Sequence, residues 1–442
     1  MRILFFVIAT LSCVLLSANE WRQFRGTDGQ GQALDAKNLP STWSETENIL
    51  WKGKIPGRGW SSPVFAGSTI WLTTAIEHPL GAEELEAARN KKLFLNPLAK
   101  QMDVLGSVVL HAVGINAESG HVEHNIELFT ITDLEPVHSL NSFASPTPVL
   151  DGTMLYCHFG ELGTACVNTE SNSIVWKAQL SSKHSVGPGS SPIVHEDVLI
   201  IPCDGIDQQY VVALNKRTGE QVWKTKRPKM SGFLGEMHKA FSTPLLVKAD
   251  DRDQIIVPGA QWVVAYDPRD GYEIWRVRYG DGFSNVPRPI VGHGMAYICT
   301  GYTSPQLWAI NLDGRGDVSK THVKFKVPKQ VPTMASPVLA DDQLYFVSDQ
   351  GVATSVNALT GAAIWTKRIS GNFSSSPLFA DGKIYFSSQE GKTTVIRPGR
   401  EYDEVAVNSL DAQLMASPAV FGESLLLRSQ SHLYRIGSKL AP

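Results

Sequence analysis

The side chains best equipped for chemistry stand a few residues ahead of a recurring proline. Arg58 and Trp60 precede Pro63, Asn141 precedes Pro148, His184 precedes Pro192, His238 and Lys239 precede Pro244, and Asn285 and Arg288 precede Pro289. Thr333 stands ahead of Pro337, and Asn372 and Phe373 ahead of Pro377, in the same way. Cationic, amide and imidazole groups meeting an indole in a concavity would bind a polar or anionic ligand. The same groups can instead satisfy backbone amides and carbonyls at crowded strand starts, and for Ser, Asn and Arg in such loops this structural use carries more weight. His184 and His238 read as hydrogen-bonding loop residues rather than metal ligands. Asp250–Asp253 reads as a solvated hairpin tip and Asp204–Asp207 as an inter-strand turn, so no metal site is expected. No Cys-x-x-Cys-His, His-Glu-x-x-His or Gly-x-Ser-x-Gly occurs, and no catalytic residue is assigned.

The chain surrounding these residues has 442 residues, 43% of them hydrophobic and 19% charged, which is globular composition. Forty Lys and Arg against 43 Asp and Glu give a net charge of -3, with no basic run of the kind that binds nucleic acid. Arg2, the apolar run Ile3–Leu16 and the small pair Ser17-Ala18 have the parts of a secretory signal peptide, too short to span a bilayer. Residues 1–18 are therefore expected to be removed on export to the periplasm or cell envelope, leaving a monomer that is not an integral membrane protein. Cys13 sits in a poor lipobox, which argues against a lipid anchor. Of the remaining cysteines, Cys157, Cys203 and Cys299 each end a strand-like run and read as small buried hydrophobes. Cys157 and Cys166 form the one pair placed to face each other across a hairpin.

The prolines mark a repeat. Pro63, Pro148, Pro192, Pro244, Pro289, Pro337, Pro377 and Pro418 each open a strand-like run, and after a first gap of 85 residues they lie 40 to 52 apart. A second signature follows later in the repeat: a small residue, Asn or Asp two positions on, Gly or Asn four further, and Trp four beyond that. It reads Ala213, Asn215, Gly219, Trp223; Ala265, Asp267, Gly271, Trp275; Ser355, Asn357, Gly361, Trp365; and Cys166, Asn168, Asn172, Trp176, with His124 in the Trp place after Gly114 and Gly120. Asn or Asp starts a turn, Gly or Asn accepts positive φ, and the small residue leaves room for a ring that packs between sheets. Blade five carries Phe325 instead of Trp, and the seventh unit is degenerate around Arg397–Val405.

Four short strands per unit at this period predict an all-β, eight-bladed β-propeller over residues 48–438, after an N-terminal extension at 19–47. The last unit ends one strand short, and the spare strand Ile49–Lys52, with Trp51, precedes the first; pairing the two would close the ring and remove free edges. The insertion at 75–108 contains two stretches of good helix formers, Gly81–Arg89 and Leu98–Asp103, and predicts a short helical excursion from blade one. Its surface is a candidate for binding a partner.

The Ala/Asn/Gly/Trp signature with Ser-Pro opening each inner strand resembles the PQQ-like (pyrroloquinoline-quinone-like) β-propeller repeat family over residues 48–436. Trp21-Arg-Gln-Phe-Arg-Gly26 and Gly57-Arg-Gly-Trp-Ser-Ser-Pro63 resemble exported propellers of planctomycete-type bacteria. The resemblance implies one of two roles: a quinoprotein dehydrogenase, or a non-catalytic scaffold of the BamB type in the cell envelope. The dehydrogenases hold PQQ with Ca²⁺ between a Trp and a vicinal Cys-Cys pair, and this sequence has no such pair. The expectation is accordingly a scaffold that binds an envelope protein or peptide without a cofactor. A PQQ-dependent oxidoreductase and a small-ligand or carbohydrate binder are the alternatives.

Overall fold

Short β-branched and aromatic runs joined by Asn, Asp and Gly turns give hairpins that bury their faces only by packing on another sheet. In the computed structural model, which describes residues 20–95, 102–132, 134–233 and 235–438, they form eight twisted sheets around one axis. The expected leader Met1–Ala18, with Cys13, lies outside the described residues.

Blade three shows the plain unit. Ile193–His195, Val198–Asp204, Gln209–Asn215 and Gln221–Lys226 pair antiparallel in chain order from the axis outwards. Blade eight is assembled from both ends of the chain: Ala419–Phe421, Ser424–Arg428 and His432–Ile436 are completed by Ile49–Lys54, with Trp51 opposite Arg435 and Lys52 opposite Tyr434. The ring therefore closes with the strand that the count of units had left over.

Three blades gain a fifth strand. Gly316–Asp317 returns from blade five to lie parallel to Glu273–Arg278 of blade four. Glu20–Trp21 adds antiparallel to the inner strand Val64–Ala66 of blade one, and Gln32–Ala33 adds parallel to the inner strand Leu378–Ala380 of blade seven. The described part of the extension, residues 20–47, is thus woven into the propeller rather than standing outside it. Two-residue strands carry no periodicity by which the sequence could announce them.

The insertion leaves blade one from a long hairpin in which Thr69–His78 pairs with Ser107–Asn116. Its helix, α1 (Ala82–Leu95), is exposed over most of its first nine residues. Of the second helical stretch, Leu98–Gln101 lies outside the described residues, and its last two residues, Met102–Asp103, form a strand paired with Val137–His138, with Met102 and Val137 buried. Tertiary pairing here overrides helix propensity, which is worth only tenths of a kcal/mol per residue.

Each signature residue has a place in the packing. The small residue and the ring lie directly opposite across the two outer strands, as Ala213 with Trp223, Ala265 with Trp275, Cys166 with Trp176, Ser355 with Trp365 and Ala309 with Phe325. The ring then covers the turn glycine of the next blade: Trp51 on Gly120, Trp176 on Gly219, Trp223 on Gly271 and Phe325 on Gly361, with any Cβ there 2.3 to 2.6 Å from a ring atom. Indole N–H groups of Trp51, Trp176 and Trp223 donate to the carbonyls of Ala117, Lys216 and Pro268 in those same turns. Blade one has no such ring, because His124 stacks on Trp71 at 5.4 Å, and the turn it would have covered carries Asn172 rather than Gly.

The cysteines do not pair. Tyr156 stands opposite Cys166, and Cys157 opposite Ala165, so a one-residue offset points Cys157 and Cys166 to opposite faces of blade two. They lie in different core clusters, and all four described cysteines are free and buried.

Candidate functional site

The residue immediately before each inner-strand proline is Ser or Thr in every unit except blade five, where it is Arg288. These hydroxyls form a belt around the axis. The amide N–H of Ser62 donates to Thr147 Oγ1 at 2.9 Å, that of Thr147 to Ser191 Oγ at 2.9 Å and that of Ser191 to Thr243 Oγ1 at 3.0 Å. Beyond blade five, Arg288 donates to Ser336 at 2.9 Å, Ser336 to Ser376 at 2.9 Å, Ser376 to Ser417 at 3.0 Å and Ser417 back to Ser62 at 3.1 Å. The gap falls between Thr243 and Arg288, where the hydroxyl is missing. Edge amides crowded at the axis thus find acceptors that no neighbouring strand supplies.

On the side where the inner strands end, the N-terminal segment crosses the axis. The Leu150 amide of blade two donates to Arg22 O, Gln30 exchanges hydrogen bonds with Val291 of blade five, and Gln32 Nε2 donates to Leu339 O of blade six. Arg288 reaches down to it: Nε donates to Pro244 O at 3.0 Å, Nη2 to Gln23 Oε1 at 2.9 Å and Nη1 to Phe24 O. Arg25 reaches up, with Nη2 donating to Gln30 O and Pro337 O, both at 2.7 Å. Gly29 and Gly31, at φ 73° and 75°, lie so close to the two guanidinium groups that a Cβ would meet Arg288 Nη1 at 2.4 Å or Arg25 Nη2 at 2.3 Å.

The opposite face, built by the loops that lead into the inner strands, carries the other candidates. Arg58 donates to Asp103 Oδ2 at 2.8 Å and to Asn141 O at 2.6 Å, with Glu77 at 3.6 Å. Asn141 Nδ2 donates to Val186 O and Pro188 O. Lys239, 5% exposed, donates to Ser185 Oγ and pairs with Glu236. His184 is buried against Phe241, and burial pushes its pKa down to about 4. His238 contacts Ser231 O through Nε2, and Asn285 Nδ2 donates to Tyr279 Oη and Cys299 O. Trp60 is buried with its indole N–H unpartnered. Thr333 bonds Asp349, Asn372 bonds Glu390, and Phe373 is fully buried. Arg58, Asn141, His184 and Lys239 share a corner at blades one to four. Beside His184 a shallow cleft opens among Pro136, Phe143, Phe159 and Pro188. Asn285 and Arg288 instead lie deep near the axis.

Sequence reasoning missed three groups. Asp204, read as part of an inter-strand turn, is buried in an ion pair with Arg227 at 2.7 Å. Arg428 is buried under the belt, with Nη1 and Nη2 donating to Ser61 O and Thr73 O. Arg25, within Trp21–Gly26, is buried on the axis although nothing in the sequence marks it as such. The signal for the belt was in view, as Ser or Thr before proline in every unit but one.

The axis is crossed by residues 20–33, the buried cysteines stand on separate strands, and no group of three His, Cys, Asp or Glu side chains gathers among the described residues. No helix among them is long and apolar enough to cross a membrane.

Known proteins supply a comparison. BamB from Moraxella catarrhalis is similar in structure at a TM-score of 0.52 and 14% identity, over 76% of this chain and 96% of that one. A europium-containing methanol dehydrogenase gives 0.59 at 9% identity over 94% and 90%, and a quinohemoprotein alcohol dehydrogenase from Pseudomonas putida gives 0.58 at 9% over 96% and 81%. At these identities the likeness is one of fold. No curated protein matches the sequence. The family described as outer membrane protein assembly factor BamB matches residues 113–238 and 207–438, most of the chain, and the protein belongs to that family of PQQ-like propellers.

Proposed function

We propose that the protein is an exported, non-catalytic propeller that binds a protein or peptide partner in the cell envelope as a monomer. The observation that carries this reading is the state of the axis. Arg288 spends its side-chain donors on Pro244 O, Gln23 Oε1 and Phe24 O, Arg58 spends its own on Asp103 and Asn141 O, and one mouth is crossed by the chain's own residues 20–33. What is left for recognition is the loop face, where Phe233 is 94% exposed and Leu140 is 41% exposed. A ring standing almost wholly in water on a loop suits the anchor of a protein interface. The leader pattern at Met1–Ala18 supports export, and the family supports an envelope role.

Photo-crosslinking in cells tests the reading. A crosslinker at Phe233 or Leu140 gives discrete adducts, whereas one at Val407, on the outer strand of blade seven, gives none. Equal labelling at all three positions, or no adduct at the loop face, overturns it.

A further inference from the structure

Blade four shows how an outer edge of this propeller takes an added strand. Gly316–Asp317 lies parallel to Glu273–Arg278, with Gly316 beside Trp275 and Asp317 beside Arg276. The Val318 amide donates to Arg276 O at 3.0 Å and the Arg278 amide to Ser319 Oγ at 2.9 Å, so the main-chain groups of Arg276 and Arg278 face outwards and find partners there. Asp317 stands 3.5 Å from the Arg276 guanidinium. Val318 joins the core cluster that contains Ile274, which is 3% exposed.

Blade three has the same edge without the cover. Ala213 faces Trp223, Val212 faces Lys224 and Tyr210 faces Lys226, matching Ala265 with Trp275, Val264 with Arg276 and Trp262 with Arg278, and the bulge follows Ala213 as it follows Ala265. Because the register is identical, Gln221–Lys226 turns the amides and carbonyls of Lys224 and Lys226 outwards. No strand among the described residues pairs with them. Val222, in the place of Ile274, is 50% exposed. Lys224 lies over the Tyr210 ring at 3.6 Å as Arg276 lies over Trp262 at 5.2 Å. The acids differ: Glu273, 3.2 Å from Arg276, is replaced by Gln221, and Lys224 and Lys226 have no ion pair among the described residues.

We propose that the outer edge of blade three, Gln221–Lys226, takes an extended acidic segment of a partner protein as a fifth strand, with a carboxylate set against Lys224 or Lys226 and an aliphatic neighbour covering Val222. Main-chain hydrogen bonds hold such a strand and the side chains select it. A second copy is the wrong occupant, because it would bring Lys224 and Lys226 against their own kind, and lysines on an edge strand keep like edges apart. The surface is separate from Phe233 and Leu140 and does not rest on the loop-face reading.

The probe is a fluorescein-labelled peptide of residues 313–321 carrying Arg315→Glu and Lys320→Glu, which keeps Gly316–Ser319 and is acidic overall. Its anisotropy should rise saturably with protein, with Kd at least about threefold weaker in roughly 200 mM than in roughly 50 mM salt. N-methylation of the Val318 amide in the peptide should abolish binding, because it removes the donor to Lys224 O. Lys224→Pro should abolish it too without unfolding the blade, since proline is tolerated on an edge whose N–H faces outwards. Lys224→Gln with Lys226→Gln should weaken it several-fold, and Phe233→Ala should leave it unchanged. No saturable rise up to millimolar protein, equal binding of the N-methylated peptide, indifference to the two Gln substitutions, or binding that survives Lys224→Pro overturns the proposal. Self-association of the protein that Lys224→Pro abolishes overturns it as well.

Discussion

Trp275 is fully enclosed, and its indole N–H donates to Gln254 Oε1 at 2.8 Å; Trp223 is 7% exposed. Replacing either by Ala should cost roughly 3 to 5 kcal/mol, measured by denaturant unfolding, because each truncation leaves a cavity between two blades. Trp365 is only half-buried, so Trp365→Ala should cost clearly less. Equal small losses at Trp223 and Trp275 would show that the rings do not hold neighbouring blades. The buried histidines make a second residue-scale prediction. Burial lowers His158 to about 3 and His184 to about 4, against 6.5 for an ordinary imidazole, with Lys239 opposing and Asp207 favouring the charge on His184. The unfolded chain takes up these protons below about pH 6.5 while the folded chain refuses them, so their contribution to stability is complete above that pH and is lost as pH falls towards 4. His184→Gln should flatten the fall in Tm between pH 6.5 and 4; an unchanged profile would place His184 in water.

Each ring needs the element it lands on. Gly219 and Gly271 must adopt positive φ and also leave space for Trp176 and Trp223, whereas Gly382, at φ +67°, has nothing within 4 Å of a Cβ. Gly382→Ala should therefore cost about 1 kcal/mol for backbone strain alone, and Gly219→Ala or Gly271→Ala should cost distinctly more, as read from urea midpoints. Identical losses at all three sites would separate the glycine from ring docking. The turns and rings were legible in the sequence because they are local and repeated, and the position of Asn172 shows that even the exception follows the ring. The offset between Cys157 and Cys166 was not legible, because register depends on where the hairpin turns. Met102–Asp103 was misread as helix because its partner, Val137–His138, stands outside the insertion. The contacts of Arg25 with Pro337 and of Arg288 with Phe24 join residues hundreds of positions apart, and no spacing in the sequence announces them.

At the scale of the whole molecule, the first described residues hold the ring together twice. Ile49–Lys54 closes blade eight, and residues 20–33 bridge blades one and seven across the axis while touching blades two, five and six. Deleting residues 19–53 should abolish a single cooperative unfolding transition rather than fray one blade, since it opens a sheet edge and uncovers the axial core at once. A truncated chain as heat-resistant as the mature protein would refute closure. The eight units and the closing strand could be counted in the sequence; the crossing of the axis, which decides what the centre can hold, could not. Quinoprotein dehydrogenases and this protein share a fold, so the difference must lie at the centre. We propose that the bonded arginines and the crossing segment leave no seat for a quinone there. The direct measurement is titration of the purified protein with PQQ and Ca²⁺, followed by desalting and an absorbance spectrum. The account predicts that no chromophore stays with the protein, and stoichiometric retention of quinone absorbance would contradict it.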